Sequence, residues 1–152
     1  DQRAIWQDDI DGVTATAVDE IVRMASPVTY MRRTVTRPLT LSGQDFETGD
    51  RLIMFYGAAN RDPRVFDDPE RFDVRRDPNP HVGFGGPGPH FCLGAHLARR
   101  ELAVVFRQIL TRLPDIEVTG SPDFLDSLGP PLVGGVKRLP VRFTDAARIG
   151  AG

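Results

Sequence analysis

The sequence predicts a mainly α-helical fold that carries small antiparallel β-sheets, and three observations predict it. Apolar residues recur at helical spacing over 93–112, at Leu93, Leu97, Leu102, Val105, Phe106 and Ile109, with Leu113 just beyond. A second stretch, 14–25, puts Val18, Ile21, Val22 and Ala25 on one helical face. Between the two, residues 28–56 alternate β-branched and aromatic side chains with polar ones, broken at Ser42-Gly43 and Thr48-Gly49-Asp50. The 152 residues suit about one domain, and thirteen prolines with fifteen glycines leave much of the rest to turns.

Taken in order, residues 1–13 read as a connector with a turn-like Asp8-Asp9-Ile10-Asp11-Gly12. The helix over 14–25 has Thr16 and Asp19 in capping-box relation, and Pro27 ends it. Strands are expected near 29–36, 39–41 and 51–56. A short helix is expected near Pro63, followed by an irregular meander from Phe66 to the cysteine loop. The long helix stops before Pro114, and strands near 115–119 and 139–143 flank a Gly/Pro-rich turn at 129–135.

Charge and composition exclude several classes. A formal net charge of −2 gives no electrostatic case for nucleic-acid binding. No apolar run approaches the ~20 residues of a membrane span, and no signal-peptide pattern opens the chain. A single cysteine makes no disulfide framework and fits a reducing cytoplasm.

That cysteine lies in Phe84-Gly85-Gly86-Pro87-Gly88-Pro89-His90-Phe91-Cys92-Leu93-Gly94, a glycine-rich loop running into the long helix. With ordinary neighbours it would be a small buried hydrophobe. Here the glycines let a flat ligand approach the backbone, the prolines stiffen the loop, and the helix N-terminus favours a thiolate. Three chemical readings compete. Zinc could draw on His81, His90, Cys92 and His96, but the paired cysteines of a structural site are missing. Gly83-x-Gly85-x-x-Gly88 fits a dinucleotide fingerprint by letter, yet two prolines remove N–H donors and no acidic residue follows at the expected place. Haem iron needs one axial thiolate and a flat space, which one cysteine and several glycines supply. Elsewhere, Glu20 and Arg23 sit three apart on one helical face; alone they read as a surface ion pair worth a few tenths of a kcal/mol.

Together these segments resemble the cytochrome P-450 superfamily of haem-thiolate monooxygenases. The loop match rests on Phe84, Gly88, His90, Cys92 and Gly94, followed by Ala98 and Arg99. Glu20-x-x-Arg23, Ala59-Asn60-Arg61-Asp62 and Pro69-Glu70-Arg71-Phe72 follow in the family's order and approximate spacing. Phe84 stands eight residues before the cysteine, where the commoner pattern has seven. The longer form is similar to a bacterial subgroup that includes actinobacterial branched-lipid and sterol hydroxylases.

The resemblance implies that residues 1–152 are the C-terminal third of the cytochrome P-450 fold: K helix, β-sheet region, meander, cysteine haem loop, L helix and C-terminal strands. It implies heme b as cofactor, with Cys92 as the iron ligand pushing electron density that favours O–O cleavage. His90 and Arg32 would bind the haem propionates, with Arg33 a close rival. Gly85 belongs to the haem loop, Phe84 would pack near the thiolate, and Gly94 and Ala98 would lie under the porphyrin. Glu20, Arg23 and Arg71 would form a buried triad, one carboxylate taking two guanidinium forks. Residues 27–30 and 131–134 would line the distal pocket, whose catalytic residues fall outside this chain. Arg99 and Arg100 would help dock a ferredoxin. The implied activity is insertion of one O atom from O2 into a C–H bond of a small hydrophobic substrate, such as a lipid or sterol. Electrons would come from ferredoxin and ferredoxin reductase in a bacterial cytoplasm. Two alternatives stand beside it: a haem-thiolate protein that uses peroxide or isomerises its substrate, and a truncated remnant that holds haem poorly or acts through protein contacts alone.

Overall fold

The computed structural model describes residues 1–125 and 132–144. Helix α1 spans Gln2–Asp8 and α2 spans Ile10–Ala25, so all but Asp1 and Asp9 of the first thirteen residues are helical, in place of the expected connector. The acidic cluster is one tight break between two helices. Asp1 caps α1 by accepting from the Arg3 N–H, and Asp9 caps α2 by accepting from the Gly12 N–H. Thr16 therefore sits well inside α2 and caps nothing; its hydroxyl lies 2.6 Å from the Val74 carbonyl. The helix ends as expected before Pro27, with Ser26 left-handed (φ 38°) and its N–H on the Val22 carbonyl.

Strand β1 (Tyr30–Thr34) pairs antiparallel with β4 (Arg51–Phe55), bringing Tyr30 opposite Phe55 and Arg32 opposite Ile53. Between them β2 (Leu39–Leu41) and β3 (Gln44–Phe46) form a short hairpin around Ser42-Gly43. The helical turn α3 spans Tyr56–Ala59, ahead of Pro63, where the short helix was expected. From Asn60 to Gly94 the backbone is turns and bends. Helix α4 spans Ala95–Arg112, starting two residues later than its apolar pattern suggests. Beyond it β5 (Glu117–Val118) pairs with β8 (Val141–Arg142), and β6 (Asp123–Phe124) pairs with β7 (Val136–Arg138).

Helices α1, α2 and α4 share the core. Trp6, Val13, Ala17, Val74 and Leu110 are buried together, with Phe72 and Phe106 packed against them. Trp6 stacks on Phe106 at 5.3 Å between ring centroids and donates its indole N–H to the Thr14 hydroxyl. The other side of α4 is bare: Leu93 is fully exposed, and Leu97, Val104 and Val105 also face outward. Among the described residues, this part of the apolar pattern stays largely uncovered.

Candidate functional site

The irregular segment that carries the cysteine has no ladder to hold it, so buried side chains do that work. The first anchor is on α2. Spacing of three places Glu20 and Arg23 on one face, and neither side chain is exposed. Arg23 Nε donates to Glu20 Oε2 at 2.7 Å and Nη2 donates to Oε1 at 2.8 Å, a two-point pair. The remaining Arg23 protons reach the carbonyls of Asn60, Pro69 and Arg71 at 2.7–3.0 Å. Glu20 also accepts from the Asp73 N–H, from Asn79 Nδ2 and from Arg76 Nε. Burial pushes the Glu20 carboxyl upward, but the bonds from Arg23, Asp73 and Arg76 outweigh it and hold it below the usual 4.5.

Arg71 is not the second guanidinium of this network. The meander turns at Asp68, the Arg71 N–H bonds back to the Asp68 carbonyl, and the Arg71 carbonyl faces inward to Arg23. Its side chain leaves toward solvent, 62% exposed and 3.9 Å from Asp73. Arg76 takes the place instead, 3.2 Å from Glu20, while also donating to the carbonyls of Asp67, Asp68 and Arg71. Two more arginines close by, Arg71 and Arg75, hide Arg76 from any reading of spacing.

Asn60 is the second anchor. It is completely buried; its Nδ2 donates to Ser26 Oγ at 2.9 Å and its Oδ1 accepts from the Val82 N–H at 2.7 Å. The end of α2 is thereby tied to the entrance of the cysteine loop. His81 is a third anchor, between Asp19 on α2 and the Gly83 N–H. Arg99 on α4 donates to the same Asp19 at 2.7 Å and lies 4.6 Å over the Phe84 ring. Arg99 is thus a packing residue of the loop, whereas Arg100 is exposed.

The loop itself closes through one backbone bond, from the Cys92 N–H to the Phe84 carbonyl at 2.9 Å. Gly85 and Gly88 have φ of +88° and +138°, open to glycine and strained for other residues. Cys92 is exposed and lies just ahead of α4, its carbonyl accepting from the Ala95 N–H. A side chain on Gly86 or Gly88 would meet nothing within 4 Å, and one on Gly94 would start 3.9 Å from the Cys92 sulfur. Cys92 is thus exposed with Gly94 near its sulfur, and Ala98 is half-buried one turn along α4.

Beside the loop is a cleft of 440 Å³ whose lining includes Arg33, Met54, Tyr56, Gly85 and His90. Arg32 does not line it. Successive strand residues point to opposite faces, so Arg33 and not Arg32 joins His90. The zinc alternative lacks a ligand set, because His81 is turned into the helices and no three His, Cys, Asp or Glu groups among the described residues could hold a metal. Residues 27–30 and 132–134 come together in a short ladder, with the Gly134 N–H on the Pro27 carbonyl at 2.7 Å and Val28 bridged to Val133. Pro131, also expected there, lies outside the described residues.

Known proteins resemble this chain in sequence and in fold. The sequence model of the cytochrome P450 family matches residues 7–127. The chain is 49% identical over 144 residues to a methyl-branched lipid omega-hydroxylase of Mycobacterium tuberculosis, covering 95% of this chain and 33% of that protein. It is 46% identical over 132 residues to a steroid C26-monooxygenase of Rhodococcus jostii, covering 87% and 27%. Among solved structures, a Mycobacterium marinum cytochrome P450 in complex with pseudoionone superposes with a TM-score of 0.87 at 45% identity, covering 93% of this chain and 33% of that one. The chain spans about a third of the length of these relatives.

Proposed function

Since the chain belongs to the cytochrome P450 family, whose members bind haem iron, we propose that residues 81–99 hold haem through the Cys92 thiolate in a lipid or sterol monooxygenase. The observation that carries this reading is the exposed Cys92 on a glycine-rich loop, held just ahead of α4 by the bond from its N–H to the Phe84 carbonyl. The residues fit the group: one soft thiolate for iron, and two hydrogen-bond donors, the Arg33 guanidinium and the His90 imidazole, on one cleft for its carboxylates. When bound, haem supplies the redox chemistry that activates O2 and inserts one oxygen atom into a C–H bond.

The chain's own residues then have separate tasks. Cys92 donates electron density, and the Phe84 carbonyl keeps its backbone in place. Arg33 and His90 orient the cofactor edge. Gly94 and Ala98 keep bulk away from the macrocycle. Glu20, Arg23, Arg76 and Asn60 fix the meander so that the sulfur does not wander. Exposed Phe55, Leu132 and Val133 near the paired segments support a hydrophobic substrate. The exposed Arg100 supports docking of an acidic ferredoxin, itself served by a ferredoxin reductase. A reducing cytoplasm suits the single cysteine; among the described residues no helix is long and apolar enough to cross a membrane.

The test is turnover by the protein that carries this chain, with ferredoxin, reductase, NAD(P)H and a panel of branched lipids and sterols. Product bearing one added oxygen in proportion to NAD(P)H consumed supports the reading. Turnover that needs peroxide alone, or proceeds with no electron donor, would replace it with the peroxide-using or isomerising alternative.

A further inference from the structure

We infer that His81 is a positioning residue for the cysteine loop, holding it as a neutral imidazole and releasing it when doubly protonated. The His81 side chain is 3% exposed. Its Nδ1 accepts the Gly83 N–H at 3.1 Å, so that nitrogen carries no proton. The proton sits on Nε2, which faces Asp19 Oδ1 at 3.3 Å. The ring also lies against Phe84, 5.8 Å between centroids.

The path from this ring to the sulfur is short. Gly83 is seated directly on α2: a Cβ there would come within 2.6 Å of Val22 Cγ1 and 3.2 Å of the Val22 carbonyl. Phe84 follows, and its carbonyl is the acceptor that fixes the Cys92 N–H. A proton on Nδ1 would set two N–H groups against each other at Gly83. The Gly83 N–H would lose its His81 acceptor, and the loop entrance would shift, the Phe84 carbonyl with it.

The groups facing His81 are Asp19 and Arg23 on α2 and Arg99 on α4. Burial lowers the His81 pKa below the usual 6.5 and outweighs Asp19, whose charge would raise it; Arg99 and Arg23 lower it further. A lowered histidine stabilises the fold fully above about 6.5, and that stability is lost as pH falls from there toward the folded value. The loop therefore loosens once acid protonates the buried ring, through a residue that never touches the sulfur.

Only the spectral arm of the test rests on the proposed haem-thiolate function; the exchange arm does not. In haem-free protein carrying this chain, the His81 ring should titrate below 6.5, and exchange of the Cys92 amide, taken relative to its intrinsic rate at each pH, should accelerate with that titration. His81→Asn, whose Oδ1 stands where Nδ1 does, should keep slow exchange and lose its acid dependence. His81→Gln keeps a donor to Asp19 and loses the acceptor for Gly83. It should exchange about two- to tenfold faster at every pH, the worth of one buried hydrogen bond. In the haem-loaded protein the thiolate Soret band should fade with acid in the parent, persist in His81→Asn, and be weakened to the same extent at every pH in His81→Gln. Slow exchange at Cys92 through the His81 titration, or equal behaviour of the two variants, would overturn the inference. Absence of any thiolate band in the parent, with the exchange results as described, would instead count against the haem reading alone.

Discussion

Glu20 and Arg23 meet in a two-point pair with neither side chain exposed, and Arg76, five residues past Arg71, completes it. Removing one partner of a buried pair strands the other's charge, at a cost of ~3–5 kcal/mol. Arg23→Ala should therefore lower unfolding free energy by about that much in urea. Arg71→Ala, an exposed side chain whose contribution is its main-chain carbonyl, should stay within ~0.5 kcal/mol. Equal losses at Arg71 and Arg76 would return Arg71 to the network.

Acid should expose the same pair. The Glu20 carboxyl lies below the usual 4.5 when folded, so its contribution is fully present above that value and is lost as pH falls through the folded one. Stability measured by thermal melting should drop steeply in this range. Glu20→Gln should melt lower at neutral pH and show a flatter acid limb. An unchanged limb in the variant would mean that other carboxylates carry it.

How far the residues foretell this arrangement depends on how local each relationship is. Glu20 and Arg23 are three apart on a helix, and helical geometry alone brings them together. Arg76 is reached only through the path of the meander, whose turn at Asp68 sends Arg71 outward; no periodicity encodes that path. Arg32 and Arg33 differ by a single step of strand parity, which composition does not set. The Asp-rich start reads equally as turn or as two helix caps, and the tertiary contacts of Trp6 decide for helix. Strands of two or three residues, such as β3 and β6, are too short to show alternation. The cysteine loop, by contrast, was legible because its glycines, prolines and cysteine are consecutive.

Two glycines separate packing from open space. A Cβ on Gly83 would press on Val22 at 2.6 Å, whereas one on Gly86 would meet nothing within 4 Å. Gly83→Ala should cost about 1–3 kcal/mol as an overpacked site. Gly86→Ala should leave stability in the haem-free protein nearly unchanged. Thermal melts of the two variants, with the order reversed, would show that the loop entrance is not seated on α2.

The outward face of α4 should be adhesive when residues 1–152 are made alone, because Leu93, Leu97, Val104 and Val105 are exposed together. Dye binding and light scattering should both fall in a Leu93→Ser, Leu97→Ser variant. Melting should change little for Leu93, which has no contact to lose. Unaltered scattering would place the adhesive surface elsewhere. The same bare surface leads us to expect that isolated 1–152 holds haem weakly and gives no coupled hydroxylation.

The central claim, that Cys92 is the sulfur that holds haem iron, is tested most directly by the reduced carbonyl complex of the haem-loaded protein. The parent should show the red-shifted Soret band of thiolate ligation, and Cys92→Ser should lose it while His90→Ala retains it. Persistence of that band in Cys92→Ser would contradict the assignment and require another ligand.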